Sequence, residues 1–508
     1  MSQNHLFAAI RSAAPSPGKK LALLADGSSV SYGEVFALSA RLAGLLVARG
    51  VRPGDRVAVQ VEKSWPCLAL YLATVRAGAV YLPLNTAYTL NEVRYFLGDA
   101  EPALFVCRPE NAAEARALAA ELGVPCVETL DAEGSGSLTD AAAAFPPDFD
   151  DVARGPDDLA AILYTSGTTG RAKGAMLSHG NLLSNARALK ECWRFTESDV
   201  LIHALPLFHT HGLFVAVNIV LLSGASMFFR AKFDPREAIA LMDRATCLMG
   251  VPTFYTRLLD QPGLTREATA HMRLFVSGSA PLLEETHRAF RERTGHAILE
   301  RYGMTETCMN TSNPYEGERI AGTVGFPLPG VTLRITDPGT GAALPHGEIG
   351  MVEVKGPNVT KGYWRMPEKT ASEFHDGFFV TGDLGMIDAR GYLNIVGRGK
   401  DLVITGGFNV YPKEIEGEID AIDGVAESAV IGVPHPDFGE GVTAVIVPAK
   451  GAGGLTEQAV LQALEGRLAK FKQPKRVFFV EELPRNTMGK VQKNILRDSY
   501  KDIYRRSA

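Results

Sequence analysis

The chain has 508 residues, too many for one hydrophobic core, and its length suggests about three domain-sized units. Hydrophobic residues make up 46% and charged residues 21%, the ordinary balance of a soluble globular protein. A formal net charge of -5 and the lack of a dense basic run argue against a duplex-binding protein, so no nucleic-acid partner is expected. The nearest basic cluster, "KFKQPKR" (Lys470 to Arg476), reads as a solvated turn.

The N-terminal "MSQNHLFAAIRSAAPSPGKK" lacks an apolar stretch of signal-peptide length. The six cysteines are scattered without a C-x-x-C pair, which fits a reducing, cytoplasmic setting. "YGEVFALSARLAGLLVARG" reads as a helix ended by Gly50, "DRVAVQVE" as a strand, "PCLALYLATVRAGA" as a helix and "VYLPLN" as a strand. This alternation predicts α/β layers with mostly parallel sheets. "LDAEGSGSLTDAAAAFPPDFDD" reads as a surface linker. The apolar run "LFVAVNIVLLSGASMFF" is too short and too polar for a membrane span and predicts a buried helix running into a strand.

After about residue 320 the texture becomes β-rich, with "GEIGMVEVKGP", "GFFVTGDLGMID" and "GYLNIVGR" joined by Gly and Asp turns. A last unit begins near Arg398, with a β-turn-β piece ("ESAVIGVPHPDFGEGVTAVIVPAKG") and a helix ("TEQAVLQALEGRLAKF"). The expected fold is therefore α/β: a large N-terminal domain (1–398) of layered α/β subdomains plus a β-rich subdomain, then a small α+β C-terminal domain (399–508). Oligomeric state is not legible.

"YTSGTTGRAKG" (Tyr164 to Gly174) follows the apolar "AAIL", which reads as a strand. Gly167 and Gly170 permit backbone angles that turn several N–H groups toward one anion. Thr165, Ser166, Thr168 and Thr169 add hydroxyls, and Lys173 adds charge. The loop lacks the Walker spacing, and by itself a flexible linker is the competing reading.

Together with "RYGMTET" (Arg301 to Thr307), "TGDLG" (Thr381 to Gly385), "GRGKDLVITGGFNVYPKEIE" (Gly397 to Glu416) and "PRNTMGKVQK", this loop resembles the ordered motif set of the acyl-adenylate-forming enzymes over essentially the whole chain. That resemblance implies attack of a carboxylate on the α-phosphate of ATP, then transfer of the acyl group to a thiol, here coenzyme A. It implies that Thr165 to Lys173, including Ser166, Gly167, Thr168, Thr169 and Gly170, hold the β- and γ-phosphates. Glu306, with Thr165, would hold Mg²⁺, a hard cation suited to oxygen ligands. Asp383 would bind the ribose hydroxyls and Arg398 the ribose or α-phosphate. Tyr302 would stack on adenine, with Ser279 and Ala280 bordering the base and Arg301, Gly303, Met304 and Thr305 completing the nucleotide site.

The resemblance places the catalytic lysine at Lys490, with Lys493 the local alternative. It implies a C-terminal domain that swings about Lys400, bringing Gly406, Gly407 and Phe408 to a CoA channel. Lys490 is also an expected target for a lysine acetyltransferase.

The acid is read from the pocket stretches "PLFHTHGLF", "GVPTFYTRLL", "VSGSAP" and "YGMTE". A cation in an acyl pocket is costly unless the acid brings a second carboxylate. An arginine fork matches a carboxylate. "VPTFYTR", "FHTHGL" and "RYGMTET" are similar to the malonyl-CoA synthetases, which implies malonate or methylmalonate as the acid. Arg257 is the expected cation, with His209, Ser279 and Met304 beside it and His209 counted among the catalytic residues. His211 and Arg288 are the other candidates. The alternatives are a broader short- or medium-chain acyl-CoA synthetase and a free-standing carrier-charging adenylation enzyme.

Overall fold

The structure, a computed structural model, describes residues 4–165, 172–405, 408–449, 451, 454–465, 467–468, 470–487 and 489–504, leaving aside the side chains of residues 408 and 409. The chain divides into two compact units. The first runs to Ala321 and adds Gly325–Thr332 and Lys355–Gly377; the second takes Gly322–Val324, Leu333–Val354 and the residues from Phe378 onward. Strands Phe378–Ile387 and Leu393–Arg398 thus go with the residues beyond 398.

Two sheets build the first unit. One has six strands in the order Val127–Thr129, Leu104–Cys107, Arg56–Gln60, Val80–Pro83, Leu159–Thr165 and Lys173–Ser178, parallel except for the last pair. The other has nine strands, and its parallel centre includes Val200–His203, Cys247–Gly250, Leu274–Ser277 and Leu299–Met304. The expected layered α/β class is observed. Helix Tyr32–Ala48 starts at a Ser31/Glu34 capping box, and Gly50 follows it in the left-handed region. Helix Trp65–Arg76 is buried along almost its whole length, because sheet and helices cover it on all sides.

The apolar run after residue 210 forms helical turns His211–Val217 and Asn218–Ser223, then strand Ser226–Phe229. The stretch read as a linker is more ordered than expected. It contains helix Ser137–Ala142, pinned by buried Leu138 and Ala142.

In the second unit, Gly350–Lys355, Phe378–Ile387 and Leu393–Arg398 pair antiparallel. A further sheet pairs Val425–His435 with Gly439–Pro448 and covers its apolar face with helices Pro412–Asp420 and Glu457–Leu464. The helix expected over "TEQAVLQALEGRLAKF" ends at Leu464, before its glycine. All six cysteines are free thiols. Among the described residues no helix is long and apolar enough to cross a membrane.

Candidate active site

The first unit holds two groups of polar side chains. The first group surrounds the glycine-rich loop. Strands Leu159–Thr165 and Lys173–Ser178 pair antiparallel, with Thr165 opposite Lys173, so the loop closes a hairpin whose ends are fixed. Ser166, Gly167, Thr168, Thr169 and Gly170 lie outside the described residues. Glu306 lies in the connection between Leu299–Met304 and Cys308–Ser312. That connection is tight: a Cβ on Gly303 would meet the Cys308 carbonyl oxygen at 1.9 Å, so glycine is required. Met304 and Thr305 occupy the same turn, where Thr307 N–H donates to the Met304 carbonyl at 3.2 Å.

Glu306 is 5% exposed. Its Oε1 accepts from the Tyr363 hydroxyl at 3.0 Å and from Thr165 Oγ1 at 3.5 Å. Lys173 Nζ donates to Tyr363 Oη at 3.3 Å and lies 3.6 Å from Glu373. The structure thus brings Thr165, Lys173 and Glu306 together, as the motifs imply, and adds Tyr363. Glu306 Oε2 carries no hydrogen bond among the described residues, and with the Thr165 hydroxyl nearby it offers hard oxygen donors that fit Mg²⁺.

The second group lies at the ends of the parallel strands of the larger sheet, where α/β folds place ligand sites. Arg301 is 3% exposed, and its Nε and Nη2 have no hydrogen-bond partner among the described residues. Its guanidinium packs under Gly278, where an added Cβ would meet it at 2.4 Å. Burial is the main cause holding the Arg301 pKa down to about 9, so the side chain is still a cation at neutral pH.

The charge of Arg301 reaches His209, His211 and Tyr255. Burial first, then Arg301, pushes His209 down to about 4 and His211 well below its usual value, so both imidazoles are neutral. His209 Nδ1 accepts from the His211 backbone N–H at 3.2 Å. His211 Nδ1 lies 3.3 Å from Ser279 Oγ, and its Nε2 lacks a partner among the described residues. Ser279 has φ of 72°, unusual for a non-glycine residue and a mark of a constrained site. Ala280, Tyr302 and Met304 are half-buried on the same strand ends.

Arg257 is not in this group. It is exposed on helix Pro252–Leu259, with its guanidinium 5.3 Å from the Phe233 ring centre. Tyr255 and Leu258 take the buried side of that helix, which turns residue 257 outward. Arg288 is likewise exposed, on helix Glu284–Thr294.

The second unit carries the remaining residues. Asp383 and Arg398 face each other across antiparallel strands, and Arg398 Nε lies 2.7 Å from Asp383 Oδ1. Lys400 sits in the short turn Gly399–Asp401. Lys490 lies in a tight turn closed by a bridge between Arg485 and Val491, with Gly489 at φ of 75°. The Lys490 side chain keeps access to solvent. Even so, surrounding protein atoms, and then the like charges of Arg398 and Lys400, lower its amine to about 8. Lys493, the alternative, is paired with Glu416 at 2.5 Å. Gly406 and Gly407 lie outside the described residues, as does the Phe408 side chain.

Two residues of note carried no role in the sequence reading. Tyr363 stands in the plain string "KGYW", and Gly278 was noticed only as part of "VSGSAP".

Two family models match the chain. Residues 10–364 match the AMP-binding enzyme family, and residues 414–490 match the AMP-binding enzyme C-terminal domain. The chain is 38% identical over 479 residues to a feruloyl-CoA synthase from an Amycolatopsis species, covering 93% of this chain and 94% of that one. It is 35% identical over 541 residues to the malonate–CoA ligase of Arabidopsis thaliana, covering 97% and 88%. The crystal structure of ATP-bound MatB from Rhodopseudomonas palustris superposes with a TM-score of 0.97 at 65% identity, covering 99% of this chain and 100% of that one. The chain belongs to the AMP-binding enzyme family.

Proposed function

We propose that this protein is an AMP-forming acid–CoA ligase that converts malonate, ATP and coenzyme A to malonyl-CoA, AMP and pyrophosphate. The observation that carries the choice of acid is Arg301, a buried cation with two unpartnered N–H groups beside neutral histidines. An acid with a single carboxylate, used up in the reaction, leaves that charge uncompensated. A second carboxylate gives it a counter-ion and two hydrogen bonds. Arg301 thereby takes the role expected of Arg257, which serves as an outer, solvent-screened cation. Similarity to the Arabidopsis malonate–CoA ligase and to MatB supports the same reading.

In the first step a carboxylate oxygen of malonate bonds to the α-phosphorus, and the bond to the β-phosphate oxygen breaks. Thr165, Lys173 and the glycine-rich loop hold the departing pyrophosphate. Thr165 and Glu306 hold Mg²⁺, which when bound screens the triphosphate charge. Tyr302, Ser279 and Ala280 border the adenine, and Asp383 with Arg398 binds the ribose. Lys490 places a positive charge where two anions meet, stabilising the transition state. His209 and Met304 line the short acyl pocket.

In the second step the CoA sulfur bonds to the acyl carbon as the bond to AMP breaks. Lys400 is the hinge of this reading, with residues 406–408 forming the thiol channel. The exposed Lys490 amine, held near 8, is a proposed target for a lysine acetyltransferase, read by mass spectrometry of Lys490 peptides from cells. The reaction is assigned to the cytoplasm, which cell fractionation tests.

An acid panel with ATP, Mg²⁺ and CoA tests the choice of acid. Malonate is expected to lead, with methylmalonate next. Acetate, hexanoate or ferulate outpacing malonate would overturn it. Holo-carrier protein replacing CoA as the better acceptor would favour the carrier-charging reading.

A further inference from the structure

Lys173 and Glu306 carry opposite charges in the same buried region, and a direct ion pair between them would neutralise both. They meet instead through one phenol oxygen. The Tyr363 hydroxyl donates to Glu306 Oε1 at 3.0 Å and accepts from Lys173 Nζ at 3.3 Å. The ammonium also lies 4.4 Å from the centre of the Tyr363 ring.

The backbone fixes this phenol independently of any ligand. Met176 N–H donates to the Gly362 carbonyl at 2.9 Å, Lys361 N–H to the Met176 carbonyl at 3.0 Å and Trp364 N–H to the Gly174 carbonyl at 2.8 Å. Segment 361–364 therefore lies along strand Lys173–Ser178 as an added edge. Its neighbour Thr360 donates its N–H to the Glu306 carbonyl oxygen at 2.7 Å. One short segment thus braces both the lysine strand and the turn that presents Glu306. Tyr363 itself is 3% exposed, so water does not readily replace its hydroxyl.

We infer that Tyr363 is a positioning residue that holds Glu306 and Lys173 in register for a metal–triphosphate and keeps the two from pairing with each other, Lys173 having Glu373 at 3.6 Å as its counter-ion. A phenol suits this task because it donates to an anion and accepts from a cation at once. When Lys173 turns to phosphate oxygens, the hydroxyl would still fix Glu306 Oε1, and Oε2 would be the oxygen left to hold a metal. This inference rests on the proposed metal role of Glu306, and the test separates the two.

The test is the Mg²⁺ dependence of ATP binding, followed by calorimetry on the full-length protein without acid or CoA. Tyr363→Phe keeps the ring and loses the hydroxyl. It should raise the half-saturating Mg²⁺ concentration by about tenfold, the scale of one lost hydrogen bond to a charged group. The acid KM should stay within about twofold, a split that general loosening of the fold would not produce. Tyr363→Phe matching wild type in its Mg²⁺ titration overturns the positioning role. Glu306→Gln matching wild type overturns the metal role of Glu306 and the inference with it. In the Mg²⁺ titration, a Tyr363→Phe/Glu306→Gln double variant no worse than Glu306→Gln supports the inference, because the hydroxyl's effect on the metal then runs through Glu306.

Discussion

The two polar groups of the first unit are prepared in opposite ways. On the proposed phosphate side, Lys173, Tyr363, Glu306 and Thr165 are linked by a chain of contacts that leaves Glu306 Oε2 open among the described residues. On the acid side, Arg301 Nε and Nη2, His211 Nε2 and the Ser277 and Thr210 hydroxyls are buried without partners among the described residues. A largely satisfied network costs the empty protein little. An unsatisfied one stores a desolvation cost that the right ligand removes. Specificity then belongs to the side left unsatisfied, because an acid lacking the second carboxylate leaves the same cost in place. The phosphate side meets the same triphosphate in every turnover and needs no such discrimination.

The largest expected effect follows from that difference. Arg301→Met should lower kcat/KM for malonate by about 10²–10³, the scale of an unpaired buried carboxylate. ATP binding should be unchanged, and loss of malonate and ATP binding together would show that the two sides are not separate.

Next in size is the pH dependence of adenylation. In the proposed mechanism the protonated Lys490 amine is the working form. Its pKa lies below the ordinary lysine value, at about 8, so activity is full below that pH and lost above it. Pyrophosphate exchange measured as kcat/KM should fall about tenfold per unit above pH 8. Lys490→Arg stays charged throughout, so any residual activity should lack this limb. An identical alkaline fall in Lys490→Arg would assign it to another group.

Stability offers a smaller contrast of opposite sign. Removing an unpaired buried cation is neutral or stabilising, so Arg301→Met should hold or raise the melting temperature of the ligand-free protein. Glu306→Ala strands the Tyr363 and Thr165 hydroxyls and should cost about 1–3 kcal/mol. Thermal melts in which both variants move together would erase the contrast. The smallest effect is at Arg257, exposed beside Phe233. Arg257→Ala should change malonate kcat/KM by less than about fivefold, the range of a screened surface charge.

Much of the fold was legible. Helix Tyr32–Ala48 and its glycine stop, strand Arg56–Gln60 and hairpin Val425–Pro448 follow from local period and turn residues. The motif residues Thr165, Lys173 and Glu306 were legible as a set because each sits near a fixed turn of the same unit. The choice between the two arginines has a physical basis. Arg257 attracted notice as a charge in an apolar stretch, although Tyr255 and Leu258 on the inward face already turned it outward. Arg301 carried a nucleotide role from its motif, and only the packing under Gly278 reveals an unpartnered cation. Tyr363 was beyond reach from sequence: its role depends on edge pairing with a strand that lies 190 residues earlier.

The most direct measurement is the ratio of kcat/KM for malonate to that for propionate, compared between the natural protein and Arg301→Met. Propionate has a three-carbon chain like malonate but only one carboxylate, so the ratio isolates the second one. The ratio is predicted to collapse by about 100-fold, mostly through loss of malonate turnover. A ratio within about twofold of the original, with the protein folded and ATP still bound, would contradict the assignment of the second carboxylate to Arg301.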